Sequence, residues 1–264
     1  MVLLSKNYLM AISNYKPEIY WTEVGKRIGE RENGENVIAG DDEPFYRYKR
    51  KEFLKLLNKL DFKDKSVLEI GCGPGGNLLE IIEKQPSRLV GVDISNEMVS
   101  LATKKLPADV KVLKIDGTSL PFEDNTFDIV FTATVLQHNT DDEMLRKIMA
   151  ELSRVCSDKV YLFERIENSI KGDELCLGRP VSYYSSIMED NGFALNSKDF
   201  INIRLSYYVC GAIRKGLNPR SRKEGEPINS ISTVLQKITL PLTKALDKVF
   251  TSAKDLAKLE FIRK

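Results

Sequence analysis

A doubly wound α/β fold on a mostly parallel sheet is what this sequence predicts, and three observations carry the prediction. Short β-branched runs alternate with amphipathic segments, each run is nearly continuous in apolar character, and a glycine-rich turn joins the first run to the segment behind it. The runs are SVLEI (66–70), RLVGVD (88–93), VKVLKI (110–115), FDIVFT (127–132) and KVYLFE (159–164), separated by segments such as GNLLEIIEKQ, SNEMVSLATKKL and DDEMLRKIMAELSRVC. A strand that is apolar on both faces must be covered on both, and helices crossing over between parallel strands supply that cover.

Residues 1–50 gather Tyr15, Tyr20, Trp21, Phe45, Tyr46 and Tyr48 around the polar stretch GERENGENVIAGDDEP. They are expected to form an N-terminal helical flap, two short helices joined by a mobile loop. The core is expected over 51–213. It opens with KRKEFLKLLNKL, where Phe53, Leu54, Leu56, Leu57 and Leu60 make a helical stripe that packs on the following sheet. Further on, Leu145, Ile148, Met149, Leu152 and Val155 share one helix face, with Asp141 or Asp142 available as N-cap. VSYYSSIMEDNGF then predicts a helix ending near Gly192, followed by a strand-like run over about 200–210, FINIRLSYYVC. Residues 214–254 are expected to be an insertion, a basic Gly/Pro loop and an apolar-basic helix interrupted by Pro241. Residues 255–264 close the core as a strand.

Composition bounds the function. A chain of 264 residues accommodates one α/β domain with attachments, and a formal net charge of +2 gives no global attraction to nucleic acid. The four cysteines, Cys72, Cys156, Cys176 and Cys210, have neither paired spacing nor the density of a disulfide scaffold, so they read as reduced intracellular thiols. MVLLSKNYLMAIS lacks the long apolar region of a signal peptide, and no stretch is apolar enough to span a bilayer. The cytoplasm is the expected compartment. The single histidine and scattered carboxylates form no metal-ligand spacing, so no metal is expected.

The most informative segment is VLEIGCGPGGN, residues 67–77. A glycine-rich turn alone fits several ligands, but here Glu69 stands two residues before Gly71 and the glycines fall at Gly71, Gly73, Gly75 and Gly76, not at dinucleotide GxGxxG spacing. Glycines admit a ligand close to the backbone, and an acid at the strand end suits a cationic amine and repels a pyrophosphate. Asp93 ends the next strand 22 positions after Gly71, where a carboxylate accepts both hydroxyls of a ribose. Asp116, after the third strand, is placed for the exocyclic amine of an adenine, or else as a helix N-cap.

At this point the sequence resembles the class I S-adenosylmethionine-dependent methyltransferases, in particular the small-molecule branch with the ubiquinone/menaquinone-type enzymes. The resemblance covers about residues 50–165 and rests on VLEIGCGPGGN, GVDIS, KIDGTSLPFEDNTFDIVFTATVLQH and the strand ending in LFE. It implies a Rossmann-like methyltransferase fold, a seven-stranded sheet with its last strand antiparallel, which LAKLEFIRK is placed to supply, and S-adenosyl-L-methionine as cofactor. Candidate donor contacts are Glu69, Gly71, Cys72, Gly73, Gly75 and Asn77, then Asp93, Ile94 and Met98, then Asp116, Gly117, Thr118 and Thr132. Cys72 reads as a small residue tolerated in the turn, and Met98 either covers the adenine or packs in its helix.

The acceptor should enter beyond the carboxyl ends of the strands. His138, in TATVLQHN, is a candidate general base or a residue that packs its loop; Glu164 is a candidate for orienting a polar acceptor, or one half of a charge pair with Arg165. Tyr183, Tyr184 and the N-terminal aromatics are candidates for a lid that excludes water. The expected reaction is methyl transfer to an oxygen or nitrogen of a small molecule, with carbohydrate favoured. Protein or RNA methylation, a non-catalytic binding module and a dehydrogenase are the competing readings. Peripheral contact with an anionic membrane through 214–254 is a further expectation.

Overall fold

The computed structural model describes residues 15–31 and 35–264. The expectation about a leader at residues 1–13 lies outside them. Two helices come first, α1 (Pro17–Gly29) and α2 (Pro44–Leu57). The core then runs β1 (Ser66–Ile70), α3 (Gly76–Ile82), β2 (Arg88–Asp93), α4 (Asn96–Lys105), β3 (Lys111–Lys114), β4 (Phe127–Ala133), α5 (Asp142–Val155) and β5 (Cys156–Ile166). A short hairpin, β6 (Lys171–Gly172) and β7 (Leu177–Gly178), leads to α6 (Val181–Asp190), β8 (Phe193–Phe200), α7 (Arg204–Leu217), α8 (Ser230–Asp247) and β9 (Asp255–Arg263).

The main sheet has seven strands in the order β3-β2-β1-β4-β5-β9-β8. Neighbours from β3 to β5 are parallel, and β9 runs antiparallel to both β5 and β8. This is the Rossmann-like methyltransferase fold, with the closing strand where the sequence placed it.

Alternation along the central strands explains both their apolar character and the two-layered cover. Leu68, Ile70, Val90, Val92, Val130, Val160 and Leu162 enter one core with α5 and α6. Val67, Leu89, Ile129, Phe131, Tyr161 and Phe163 enter the other with α2 and α3. Helix α5 buries Leu145, Ile148, Met149, Leu152 and Val155, and Asp141 caps it by accepting a hydrogen bond from Met144 N.

Four local expectations are corrected. The run over 200–210 is not a strand: β8 ends at Phe200 and α7 begins at Arg204. The helix is started from elsewhere in the chain, because Asp247 accepts hydrogen bonds from Leu205 N at 2.8 Å and Ser206 Oγ at 2.6 Å, a cap with no local signal. Pro241 does not interrupt α8; it lies on the exposed side, where the carbonyl it leaves unbonded is open to water. Helix α2 runs through residue 50 into the Phe53–Leu57 stripe, joining flap to core. In the described part of the polar stretch, Arg31 is buried between Asp41 and Asp42 at 2.8 and 3.0 Å, which pins the segment.

Candidate active site

Strands β1, β2 and β4 end side by side, and beyond their carboxyl ends opens a cavity of about 690 Å³. Glu69, Gly71, Cys72, Gly73, Asn77, Asp93, Ile94, Met98 and Gly117 of the expected donor set all line it. Gly71 (φ 72°) is held in the left-handed region, and a Cβ there would lie 2.3 Å from Val135 Cγ2. Gly73 (φ 52°) faces open space, with nothing within 4 Å of where its Cβ would be. The turn thus brings bare backbone to the cavity wall. Gly75 is absent from the wall; at φ 85° it turns the chain into α3.

Two buried carboxylates face this backbone. Glu69 Oε1 accepts from Asn77 Nδ2 at 2.7 Å, while Glu69 Oε2 is buried with no hydrogen-bond partner among the described residues. Burial pushes the Glu69 carboxyl up to about 8, against the pull of Asn77 and of Arg50. Asp93 accepts from Gly73 N and Ser95 N, both at 2.9 Å, and burial still raises it to about 6. The unpartnered oxygen of Glu69 is the feature a ligand carrying a cation would satisfy. Arg50, which the sequence did not single out, holds Asn77 in place by donating to Asn77 Oδ1 at 3.0 Å and Gly76 O at 2.8 Å.

The adenine-side residues divide. Ile94, Met98, Ile115 and Gly117 form the wall. Met98 also packs with Val24 and Ile28 of α1. Asp116 is not on the wall: its oxygens accept from Thr118 N, Thr118 Oγ, Ser119 N and Ser119 Oγ, and these bonds lower its pKa to about 2. Thr118 is spent on the same turn. Asp116 thus caps a turn, and no helix follows it, so it is not the helix N-cap that was its alternative.

Thr132 and Glu164 are both fully buried and away from the cavity wall. Glu164 accepts from Thr132 Oγ at 2.8 Å, from Val135 N and Leu136 N at 3.1 Å, and from Gln137 N at 3.0 Å. It holds the turn after β4 in place and cannot touch an acceptor, a correction to its expected role. Nor does it pair with Arg165, which lines the cavity and pairs with Glu167 at 3.2 Å. Thr134 (φ 59°), a β-branched residue in the left-handed region, opens this turn, and Glu164 is what keeps the turn in that conformation.

The turn carries His138. Its Nδ1 lies 2.8 Å from Leu175 O, which can only accept, so Nδ1 bears the proton. Its Nε2 lies 3.1 Å from Gln137 Nε2, and Gln137 Oε1 accepts from Arg165 N at 3.1 Å, so the amide orientation leaves Nε2 as the unprotonated nitrogen. Burial lowers the His138 pKa, which keeps the ring neutral at pH 7. A row of edge-to-face rings, Tyr15, Tyr20, Trp21 and His138, with centroids 5.6, 5.3 and 5.0 Å apart, joins the flap to this turn.

Of the expected lid aromatics, Trp21 and Tyr46 line the cavity. Tyr48 is in the core, and Tyr183 and Tyr184 belong to α6 and pack into the core on its side of the sheet, with Tyr184 fully buried, so these three do not line it. The basic loop folds over α1: Tyr20 Oη donates to Glu224 at 2.8 Å and Arg27 Nε to Glu224 O at 2.6 Å.

The fold is the Rossmann-like methyltransferase fold, and residues 67–159 match a family model described as a methyltransferase domain. The chain is similar to phosphoethanolamine N-methyltransferase 2 of Caenorhabditis elegans, 34% identical over 100 residues, which are 36% of this chain and 23% of that one. It is similar to norajmaline N-methyltransferase of Rauvolfia serpentina, 32% identical over 100 residues, 36% of this chain and 33% of that one. The matched part spans about a quarter to a third of these relatives. The fold is also that of magnesium protoporphyrin IX methyltransferase from Synechocystis PCC 6803, solved with bound S-adenosylmethionine, at a TM-score of 0.57 and 14% identity over 94% of this chain and 95% of that one.

Proposed function

We propose that the chain binds S-adenosylmethionine between Glu69, the Gly71–Gly73 turn and Asp93, and transfers its methyl group to a nitrogen or oxygen of a small molecule. The observation that carries this reading is Glu69 Oε2, a buried and unpartnered carboxylate oxygen beside bare glycine backbone, which a pyrophosphate would not satisfy and an α-ammonium group would. The sulfonium, when bound, supplies the electrophilic methyl. The chain's own part is alignment and exclusion of water, with Trp21 and Tyr46 on the wall.

One consequence concerns protons. Glu69, raised to about 8, is largely protonated at pH 7 in the free protein. A cation beside it pulls that value down, so binding releases a proton and affinity increases as pH rises toward 8. Titrations at pH 7 in Tris and in phosphate should then give heats that differ with the ionisation enthalpy of the buffer. Equal heats would mean that Glu69 keeps its proton state and does not meet the cation.

His138 is placed to take a proton from the acceptor through Nε2 once Gln137 yields that position. His138→Ala should lower kcat by about 10²-fold or more and leave donor affinity within about twofold. An unchanged kcat would make the ring a packing residue of the turn. The two named relatives are nitrogen methyltransferases of small molecules, and the aromatic wall next to Arg165 also suits a sugar face. Amines and then sugars are accordingly the acceptors to screen first. Four free thiols suit a reducing compartment.

A further inference from the structure

Helix α8 is amphipathic in the inverse sense. The face it packs against the domain carries Ser232, Gln236, Leu240, Thr243 and Asp247. Three of these polar groups are used: Gln236 Oε1 accepts from Phe45 N at 3.1 Å, Ser206 Oγ donates to Thr243 Oγ1 at 2.8 Å, and Asp247 caps α7. The opposite face carries Ile231, Val234, Leu235, Ile238 and Leu242, which are 65, 52, 38, 66 and 66% exposed. At 100° per residue they form one stripe roughly 100° wide, and Val249 just past the helix extends it. A contiguous apolar face of this kind on an otherwise ordinary surface marks a partner.

Charge identifies the partner. Lys237, Lys244 and Lys248 follow one edge of the stripe, and the exposed face of α8 contains no acidic residue. Lys215 and Arg220, both exposed, precede α8 in the chain and add further positive charge to this part of the sequence. Among the described residues, Lys215, Arg220, Lys237 and Lys248 make no ion pair. In a second copy of this chain the same face would offer these lysines no carboxylate. No described helix is long and apolar enough to cross a membrane. An apolar stripe with a lysine edge, too short and too polar to cross, fits a helix lying in a lipid headgroup layer.

We infer that α8 docks this protein on an anionic bilayer surface, with Ile231, Val234, Ile238 and Leu242 entering the interface and Lys237 and Lys248 meeting the headgroups. Helix α7 packs along α8 and contributes Arg204, Tyr207 and Tyr208 to the cavity wall, so docking sets the cavity beside the lipid surface. The inference stands whatever the cavity binds.

Co-sedimentation of the whole chain with vesicles of phosphatidylcholine, alone or with roughly 30% phosphatidylglycerol, tests it. The expected result is binding to the mixed vesicles that weakens with salt and is at least tenfold weaker on phosphatidylcholine alone. The exposed pair Ile238→Asp and Leu242→Asp should abolish binding while the thermal transition is kept. Lys237→Glu with Lys248→Glu should weaken it at least tenfold and flatten the salt dependence. Absent binding to mixed vesicles, or equal binding to both kinds, overturns the inference. So does a concentration-dependent dimer in sedimentation equilibrium that the aspartate pair dissolves, which would assign the face to a second copy.

Discussion

Replacing Glu164 by alanine should lower the stability of the domain by about 3–5 kcal/mol, the largest single effect expected outside the apolar core. The carboxylate is fully buried and accepts hydrogen bonds from three consecutive backbone amides and from Thr132. Its loss strands Val135 N, Leu136 N and Gln137 N in a dry environment and leaves a cavity beneath them. The turn they form contains the left-handed Thr134 and carries His138, so the variant should also lose activity beyond its loss of fold. Urea denaturation measures the first effect. Glu164→Gln, which keeps the volume and one acceptor oxygen, should show a smaller loss of about 1–2 kcal/mol. A loss below about 1 kcal/mol for the alanine variant would show that water or a backbone shift replaces the carboxylate.

Replacing Asp93 by alanine should weaken S-adenosylmethionine binding ten- to a hundredfold, about 1.4–2.7 kcal/mol, through loss of charge-assisted hydrogen bonds to the ribose hydroxyls. The same side chain also fastens Gly73 N and Ser95 N, which hold the turn and the start of α4. Asp93→Asn separates these roles, because it keeps an acceptor for one amide and reduces the charge. Calorimetric titration of both variants is the measurement. Donor affinity unchanged in both would remove Asp93 from the site.

The core was legible because its signals are local. The apolar runs from Ser66 to Ile166 are strands for the reason they look like strands, and Glu69, the glycine turn and Asp93 converge because parallel strands end on one edge. What the sequence concealed depends on partners far along the chain. Helix α7 is capped by Asp247, and the apolar pattern around Tyr207 and Tyr208 alone reads equally well as a strand. Glu164 stands at a strand end, where catalytic acids are often found, but its neighbours' backbone amides turn it inward, and no pattern in the sequence announces that. Arg50 and Gln137 escaped notice for the same reason, since each acts on a second side chain, Asn77 or His138, that is itself on the wall. At Asp116 a local pattern carries two meanings: a short acid before Thr118 and Ser119 suits a turn cap as well as a ligand contact, and in the structure it accepts the turn's hydrogen bonds.

Parallel calorimetric titrations with S-adenosylmethionine, S-adenosylhomocysteine and NAD test the central claim most directly. The site built by Glu69, Gly71, Gly73 and Asp93 predicts micromolar binding of both adenosyl compounds and none of NAD. Binding of NAD, or of none of the three by protein that melts cooperatively, would contradict it.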